Sequence, residues 1–449
     1  MKNFINSPIS GLKIHLIGIG GIGISGIALY LKAQGAEISG SDIACSKLVL
    51  SLQKNGIKVS IPHTTTAIQH QDLIIHSAII KNDNIEIIEA KKQGIPIFSR
   101  KEALKFILGQ KKVISVCGAH GKSTTSAMLS SIFNDYGAII GAESKEFGSN
   151  TRDNLSEGIV FEADESDKSF LNSNPYYAVV TNAEPEHMES YNHDINELYQ
   201  SYELFLNSAK KACINLDDPF LRSLYQKHPD KYLALDPKKD LKDIQFFLKN
   251  DEPFCRFCLK DWGEFEVWGF GYHTAMNAAQ AILIASLELP LTTIRERLKN
   301  FCGIKKRFDV IQKDHLIIID DYAHHPTEIQ TTLTALKTYA SFKGAEKIIA
   351  IWQPHKFSRL RDNMQKFQSC FQDCDELIIL PTWRAGEEEI YFDMGTLFQA
   401  YNPTLATRIQ REDKKILVLH EDKVIKTIDR GIAIALGAGD ITYQIRGEK

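Results

Sequence analysis

Residues 113–125 read Val-Ile-Ser-Val-Cys-Gly-Ala-His-Gly-Lys-Ser-Thr-Thr. The apolar run 113–116 predicts a buried strand, and the spacing of Ala127, Met128, Leu129 and Ile132 predicts a helix. Between them Gly118, Ala119, His120 and Gly121 form a turn. Its free backbone N–H groups and the helix N-terminus make a cradle for a phosphate chain. In that cradle Lys122 reaches the β- and γ-phosphates, and the hydroxyl of Ser123 or Thr124 sits on Mg²⁺. The full motif has a further glycine five residues before Gly121, where this chain has Val116, so the loop is a shortened variant. The plain alternative is a strand–turn–helix with a chance Gly-Lys-Ser.

Gly18-Ile19-Gly20-Gly21-Ile22-Gly23 follows the same logic a hundred residues earlier, after one apolar run and before a helical one. Glycines let backbone approach a diphosphate. Asp42, nineteen residues past Gly23 at the end of the next strand, is placed to accept hydrogen bonds from a ribose or base. Alone, this pattern indicates an NAD-dependent oxidoreductase, or a turn without a ligand. Two phosphate cradles in one chain indicate one nucleotide-linked substrate and one nucleoside triphosphate.

Glu162, Asp164, Glu165 and Asp167 follow the apolar stretch 159–161. Acids at a strand end beside a phosphate loop can hold Mg²⁺. Four in six residues cannot all be ligands, and two or three are expected in solvent. His187 lies past the end of another apolar strand and reads as either a metal ligand or a structural histidine. Lys305, Lys306 and Arg307 read as a solvated linker or as an arginine for the transferring phosphate. The segments 320–328 (Asp-Asp-Tyr-Ala-His-His-Pro-Thr-Glu) and 352–361 (Trp-Gln-Pro-His-Lys-Phe-Ser-Arg-Leu-Arg) each end a strand and open a helix. They face the carboxyl edge of a sheet, where ligands bind in open α/β folds.

Sheets must hold these groups in place. Strands are predicted at 13–17, 37–40, 58–61, 73–76 and 96–98, alternating with helices at 22–34, 48–55, 85–93 and 101–108. The middle of the chain predicts strands at 158–162, 177–181 and 211–215, an antiparallel hairpin over 253–268, and helices at 195–208 and 275–287. A third series predicts strands at 316–320, 347–352, 376–380 and, last, 416–419, with helices at 326–340 and 361–371. Boundaries near 108 and 308 give three α/β domains. These are a Rossmann-like domain for a nucleotide-linked substrate (1–108), a P-loop ATPase-like central domain with a mainly parallel sheet (109–308) and a Rossmann-like carboxyl-terminal domain (309–449).

The 449 residues carry 53 basic and 56 acidic side chains, a net charge of −3, which favours neither nucleic acid nor an anionic membrane. The apolar stretch 14–31 holds too many glycines for a membrane span, and the first residues lack the apolar core of a secretory leader. A cytoplasmic protein without membrane insertion is expected. Its eight cysteines then read as buried thiols, with Cys255-x-x-Cys258 a weak candidate for a metal or redox pair.

Read together, the segments resemble the Mur ligase family of peptidoglycan synthesis, and within it the alanine-adding branch. The resemblance runs along essentially the whole chain. It rests on Gly-Ile-Gly-Gly-Ile-Gly at 18–23, Gly-Ala-His-Gly-Lys-Ser-Thr at 118–124, Glu-Ala-Asp-Glu-Ser-Asp at 162–167, the segments 321–328 and 353–359, and Gly437-Ala438-Gly439-Asp440. It implies that Gly18, Gly20, Gly21, Gly23 and Asp42 bind the UDP substrate, and that residues 118–124 bind ATP. It also implies that Glu165, His187 and Ser123 hold Mg²⁺, and that His273 and Asn277 contact the adenine side. Arg307 and Asp321 complete the ATP site, and Tyr322, His324, His355 and Arg359 receive the amino acid. Lys122, Arg307 and His187 are the catalytic set. Thr274 stands where the family usually has Asn, and Lys356 where it usually has Arg. Several relatives use a carbamylated lysine near the metals; the stretch between Lys168 and Lys210 contains no lysine to supply one.

The resemblance implies UDP-N-acetylmuramate and L-alanine as substrates, no nucleic-acid partner, and a monomer or weak homodimer. A carboxylate is a poor electrophile near neutral pH. Its phosphorylation by ATP to an acyl phosphate, followed by attack of the alanine amine, is the expected order, with hinges near 108 and 308 closing over the labile intermediate. The alternatives are a recycling ligase that attaches a tripeptide to the same sugar nucleotide, an NAD-dependent dehydrogenase, and a nucleotide-binding module without catalysis.

Overall fold

The computed structural model describes residues 8–109, 111–154 and 156–448. The segment 1–7, on which the reading of targeting signals rests, lies outside them. The chain forms two compact units. One holds the chain up to Lys242 with Leu259–Gly263 and Met276–Phe301; the other holds Asp243–Cys258, Glu264–Ala275 and the chain from Cys302.

In the first unit β1 (Lys13–Ile17), β2 (Glu37–Ser41), β3 (Lys58–Ser60), β4 (Leu73–His76) and β5 (Ile97–Ser99) form an all-parallel sheet in the order β3-β2-β1-β4-β5. The helix Ile22–Ala33 follows β1, so the apolar stretch 14–31 is a strand, a glycine turn and a helix. Among the described residues no helix is long and apolar enough to cross a membrane.

A second sheet contains β6 (Lys112–Cys117), β7 (Gly137–Ser144), β8 (Ser149–Arg152), β9 (Gly158–Glu162), β10 (Pro175–Val180), β11 (Lys211–Asn215) and β12 (Tyr232–Leu235), in the order β12-β11-β10-β6-β9-β7-β8. Its ladders are parallel except β7–β8. β6 sits centrally and is buried from Val113 to Cys117, as a strand covered on both faces must be. β7, β8 and β12 are absent from the sequence expectation. β8 reads Ser-Asn-Thr-Arg, with no apolar signal. It is held by the first domain's helix: Asn150 Nδ2 donates to Ile22 O at 3.0 Å and Thr151 Oγ1 to Gly26 O at 3.2 Å.

β13 (Leu241–Lys249), β14 (Glu252–Leu259) and β15 (Glu264–Trp268) make a three-stranded sheet that contains the expected hairpin. Cys255 and Cys258 lie three apart on β14. They therefore point to opposite faces, which rules them out as a chelating pair.

In the second unit β16 (Asp309–Lys313), β17 (Leu316–Asp321), β18 (Ile348–Trp352), β19 (Glu376–Ile379) and β20 (Thr404–Leu405) build a sheet. β21 (Arg408–Glu412), β22 (Lys415–His420) and β23 (Lys423–Ile428) form a separate antiparallel sheet. β24 (Gly431–Leu436) returns to the former, giving the order β16-β17-β24-β18-β19-β20. This corrects two expectations. The run 416–419 lies in β22, outside the main sheet, and the central strand is β24. Both are short apolar runs, and composition cannot rank one above the other. The helix expected over 361–371 is two short pieces, Phe357–Asp362 and Met364–Phe367. Asn363 breaks it, its side chain donating to Arg359 O at 3.2 Å. Trp352, fully buried at the end of β18, packs against Phe367, Phe371 and Phe398 and anchors one face of the sheet.

Candidate functional site

The first glycine loop joins β1 to the helix Ile22–Ala33. Gly18 has φ +76°, a conformation that favours glycine, and Gly18 N and Ile19 N donate to Ser41 O at 2.8 and 3.0 Å. Asp42 is turned into the loop. Its Oδ2 accepts from Gly20 N at 2.8 Å and its Oδ1 from Ile43 N at 2.8 Å. The carboxylate expected to meet a ribose or base thus also shapes the turn. Gly21 caps the helix without a side-chain bond, leaving N–H groups of the first turn for a ligand.

The second loop joins β6 to the helix Lys122–Ile132. Gly118 (φ +134°) passes so close to β10's exit that a Cβ there would fall 2.2 Å from Thr181 Oγ1. A Cβ on Gly121 (φ +84°) would fall 2.7 Å from Asn277 Oδ1, so Asn277 does border the loop. Thr181 Oγ1 and Asn182 Nδ2 donate to His120 O at 2.5 and 2.9 Å, and His120 N donates to Asn182 Oδ1 at 3.2 Å. Thr181 and Asn182 therefore brace the loop. They carry no expected role, although a hydroxyl and an amide at the end of a strand beside β6 are a readable signal.

Lys122 folds back onto its own loop, donating to Gly118 O at 2.5 Å, Ala119 O at 3.1 Å and Glu165 Oε1 at 2.8 Å. Ser123 Oγ donates to Glu162 Oε1 at 2.9 Å, and Glu162 Oε2 accepts from Gly141 N at 2.6 Å. Glu165 is 2 % exposed, and its Oε2 is buried without a hydrogen-bond partner among the described residues. Burial pushes its carboxyl up to about 7, against the pull of Lys122. A buried carboxylate oxygen with nothing to accept, on a side chain bonded to the lysine of the phosphate loop, fits a divalent cation. Asp164 and Asp167 pair with Arg100 at 3.1 and 3.2 Å. His187 lies beyond β10 with φ +54°, 3.8 Å from carboxylate oxygens of both Glu186 and Glu189. Thr124 lies in the first turn of the helix, half-buried.

The second unit gathers another cluster at the carboxyl ends of β17 and β18. Arg307 donates to Glu328 Oε1 at 3.2 Å and lies over the Tyr322 ring at 5.4 Å. Glu328 Oε2 also accepts from His324 N at 3.1 Å and caps the helix Pro326–Lys343. Asp321 accepts from Phe308 N at 2.7 Å and Ala323 N at 2.8 Å, and burial pushes its carboxyl up to about 6 while Arg307 opposes. The His324 ring packs edge-on against Tyr322 and His355, with centroids 5.2 and 5.7 Å apart. Arg359 Nη1 donates to His355 Nδ1 at 3.1 Å, so the His355 proton sits on Nε2. Burial, then the charge of His324 and Arg359, pushes His355 down to about 3. His273, at the start of the helix Tyr272–Ala285, is pushed down to about 4 by burial and then by Arg307. Tyr322, His324, His355 and Arg359 thus form one contiguous face. Glu328, which links Arg307 to His324, is the member the sequence reading leaves without a role.

Two strand–glycine-loop–helix cradles and a six-stranded, mainly parallel sheet edged with histidines and arginines define a nucleotide-using α/β enzyme architecture. Three family descriptions match the chain: "Mur ligase family, catalytic domain" at residues 13–112, "Mur ligase middle domain" at 116–285 and "Mur ligase, glutamate ligase domain" at 306–440. The chain is 56 % identical over 438 residues to the UDP-N-acetylmuramate–L-alanine ligase of Helicobacter pylori (strain ATCC 700392 / 26695), covering 97 % of this chain and 96 % of that one. It is 50 % identical to the protein of the same name from Campylobacter curvus (strain 525.92), covering 97 % and 99 %. Among solved structures it is similar to UDP-N-acetylmuramate-alanine ligase MurC from Thermotoga maritima, with TM-score 0.78, 26 % identity and 97 % of each chain covered. A murein peptide ligase from Psychrobacter arcticus 273-4 shares the fold at TM-score 0.63 and 20 % identity, covering 96 % of this chain and 97 % of that one. The chain belongs to the Mur ligase family.

Proposed function

We propose that this chain joins L-alanine to the lactyl carboxylate of UDP-N-acetylmuramate at the expense of ATP, in peptidoglycan precursor synthesis. The observation that carries the reading is the end-to-end likeness, at 56 % identity, to a protein bearing that activity in its name. In this reading the substrate carboxylate attacks the γ-phosphorus of ATP, ADP leaves, and an acyl phosphate forms. The alanine amine then attacks the acyl carbon, and inorganic phosphate departs with the C–O bonding pair.

The first glycine loop and Asp42 hold the UDP moiety. Gly118 through Thr124 hold the ATP phosphates, with Lys122 moved off its own carbonyls to offset charge on the transferring group. Ser123, Glu165 and His187 would hold Mg²⁺, which would supply electrostatic stabilisation of the phosphates. His273, Asn277, Arg307 and Asp321 are assigned to ATP as well. Tyr322, His324, His355 and Arg359 receive alanine; a neutral His355 suits a site that must accept a free amine without trapping its proton. Domain boundaries near 108 and 308, a cytoplasmic location and a monomer or weak homodimer complete the proposal.

The purified chain should release phosphate from ATP only when UDP-N-acetylmuramate and L-alanine are both present. Release without alanine, or none with all three substrates, would refute the reading. Competition between alanine and a peptide substrate distinguishes the recycling ligase.

A further inference from the structure

Arg100 opens the helix Arg100–Leu108, behind a Ser99–Glu102 capping box. Its Nη2 donates to Asp164 Oδ2 at 3.1 Å, Asp167 Oδ2 at 3.2 Å and Ser169 Oγ at 3.1 Å. An NH₂ group has two hydrogens, so one is shared among these acceptors. Lys101 Nζ adds a bond to Asp167 O at 3.3 Å. Asp164 and Asp167 bracket Glu165, whose own carbonyl is held by Lys168 N at 3.1 Å and Tyr191 Oη at 2.6 Å. The turn that carries the Glu165 carboxylate is therefore fixed from the last helix of the first domain.

The other guanidinium nitrogen faces the first glycine loop. A Cβ added to Gly23 would lie 2.6 Å from Arg100 Nη1 and 3.6 Å from Cζ. Gly23 lies in the first turn of the helix that closes that loop. With its side chain 15 % exposed, Arg100 is no solvent-screened surface partner. One planar group thus spans two elements that lie more than a hundred residues apart in sequence and serve different nucleotides in the proposed function.

We propose that Arg100 is a positioning residue that ties the Glu165 turn to the first glycine loop, so that the two phosphate cradles act as one assembly. The inference rests on the assignment of Lys122 and Glu165 to ATP and Mg²⁺. A side chain at Gly23 would then meet Nη1, and the guanidinium would have to shift to make room for it.

The test measures phosphate release against Mg²⁺ concentration for the parent, Arg100→Gln, Arg100→Lys, Gly23→Ala and Lys122→Ala. Arg100→Gln and Gly23→Ala should each raise the half-saturating Mg²⁺ concentration about tenfold, the scale on which lost partners of metal ligands act. KM for L-alanine should stay within about twofold, and Arg100→Lys should recover part of the loss, because a lysine keeps the charge but not the fork. Combining Arg100→Gln with Asp167→Asn should cost no more than the worse single change, since both cut one link. Full turnover by Lys122→Ala removes the reading of the ATP site on which this rests. An inactive Lys122→Ala beside unchanged Mg²⁺ dependence in Arg100→Gln and Gly23→Ala overturns the coupling itself. Should Gly23→Ala fail to fold, the Arg100→Gln and Arg100→Lys pair decides alone.

Discussion

The two glycine loops look alike in sequence and are built differently. The first is shaped from outside: Ser41 O and the Asp42 carboxylate hold Gly18, Ile19 and Gly20, and no side chain caps the helix that follows. The second is closed on itself, with Lys122 bonded to two carbonyls of its own turn and to Glu165. In the proposed function a diphosphate at the first loop has no lysine to displace. A triphosphate must take Lys122 from those carbonyls, so binding there involves an exchange of partners. The lesson is that a glycine motif specifies backbone freedom, while neighbouring side chains decide whether the cradle is ready or latched.

The comparison breaks most sharply at the latch. Lys122→Ala should lower turnover by about 10³-fold or more while the thermal unfolding transition stays cooperative, because the lysine acts on charge that develops during transfer. Turnover and calorimetry on one preparation check both halves. Gly118→Ala should cost about 1–3 kcal/mol of stability and most of the activity, since its Cβ would sit 2.2 Å from Thr181 Oγ1 at φ +134°. Gly21→Ala in the first loop, with the nearest atom 3.6 Å from the new Cβ, should change stability by less than about 0.5 kcal/mol, and denaturant titration would separate the two.

The latch should also titrate. The Glu165 carboxyl is raised to about 7 in the folded chain from an ordinary value of 4.5. The folded state therefore holds that proton more tightly than the unfolded one, and stability falls as pH rises from about 4.5 through 7. Relative to Glu165→Gln, the parent should lose on the order of 2 kcal/mol between pH 5 and 8 in chemical denaturation. A flat difference would show that Lys122 keeps the carboxylate ionised throughout. A milder effect than at the latch is expected at Asp42→Ala. Losing the acceptor for Gly20 N should raise KM for the UDP substrate about tenfold with kcat nearly constant, the mark of lost ground-state binding.

How much of this was legible in the sequence follows from the range of the interactions. β6, its loop and Lys122 are encoded within a dozen residues, and strand, turn and helix fall where they are predicted. The histidine–arginine face was legible because each half ends a strand and opens a helix. β8 was not, because its polar residues are stabilised by carbonyls of Ile22 and Gly26, more than a hundred residues away. Nor was the pairing of Asp164 and Asp167: the run of acids looks solvated until Arg100 arrives from another domain. β24 and β22 are both apolar, and what separates them is topology.

The place of β24 in its sheet sets an order of assembly. β17 and β18 each pair with β24 and flank it, yet both precede it by roughly eighty residues or more. Until residues 431–436 emerge, those strands present two unpaired edges, each primed to recruit a foreign strand. The same late segment brings Arg446, which clamps Asp309 and Asp320. A chain cut short before Gly431 should accumulate as aggregate rather than as a trimmed, working protein. Synthesis of this half of the molecule is thus committed only when its last strand is threaded into the gap.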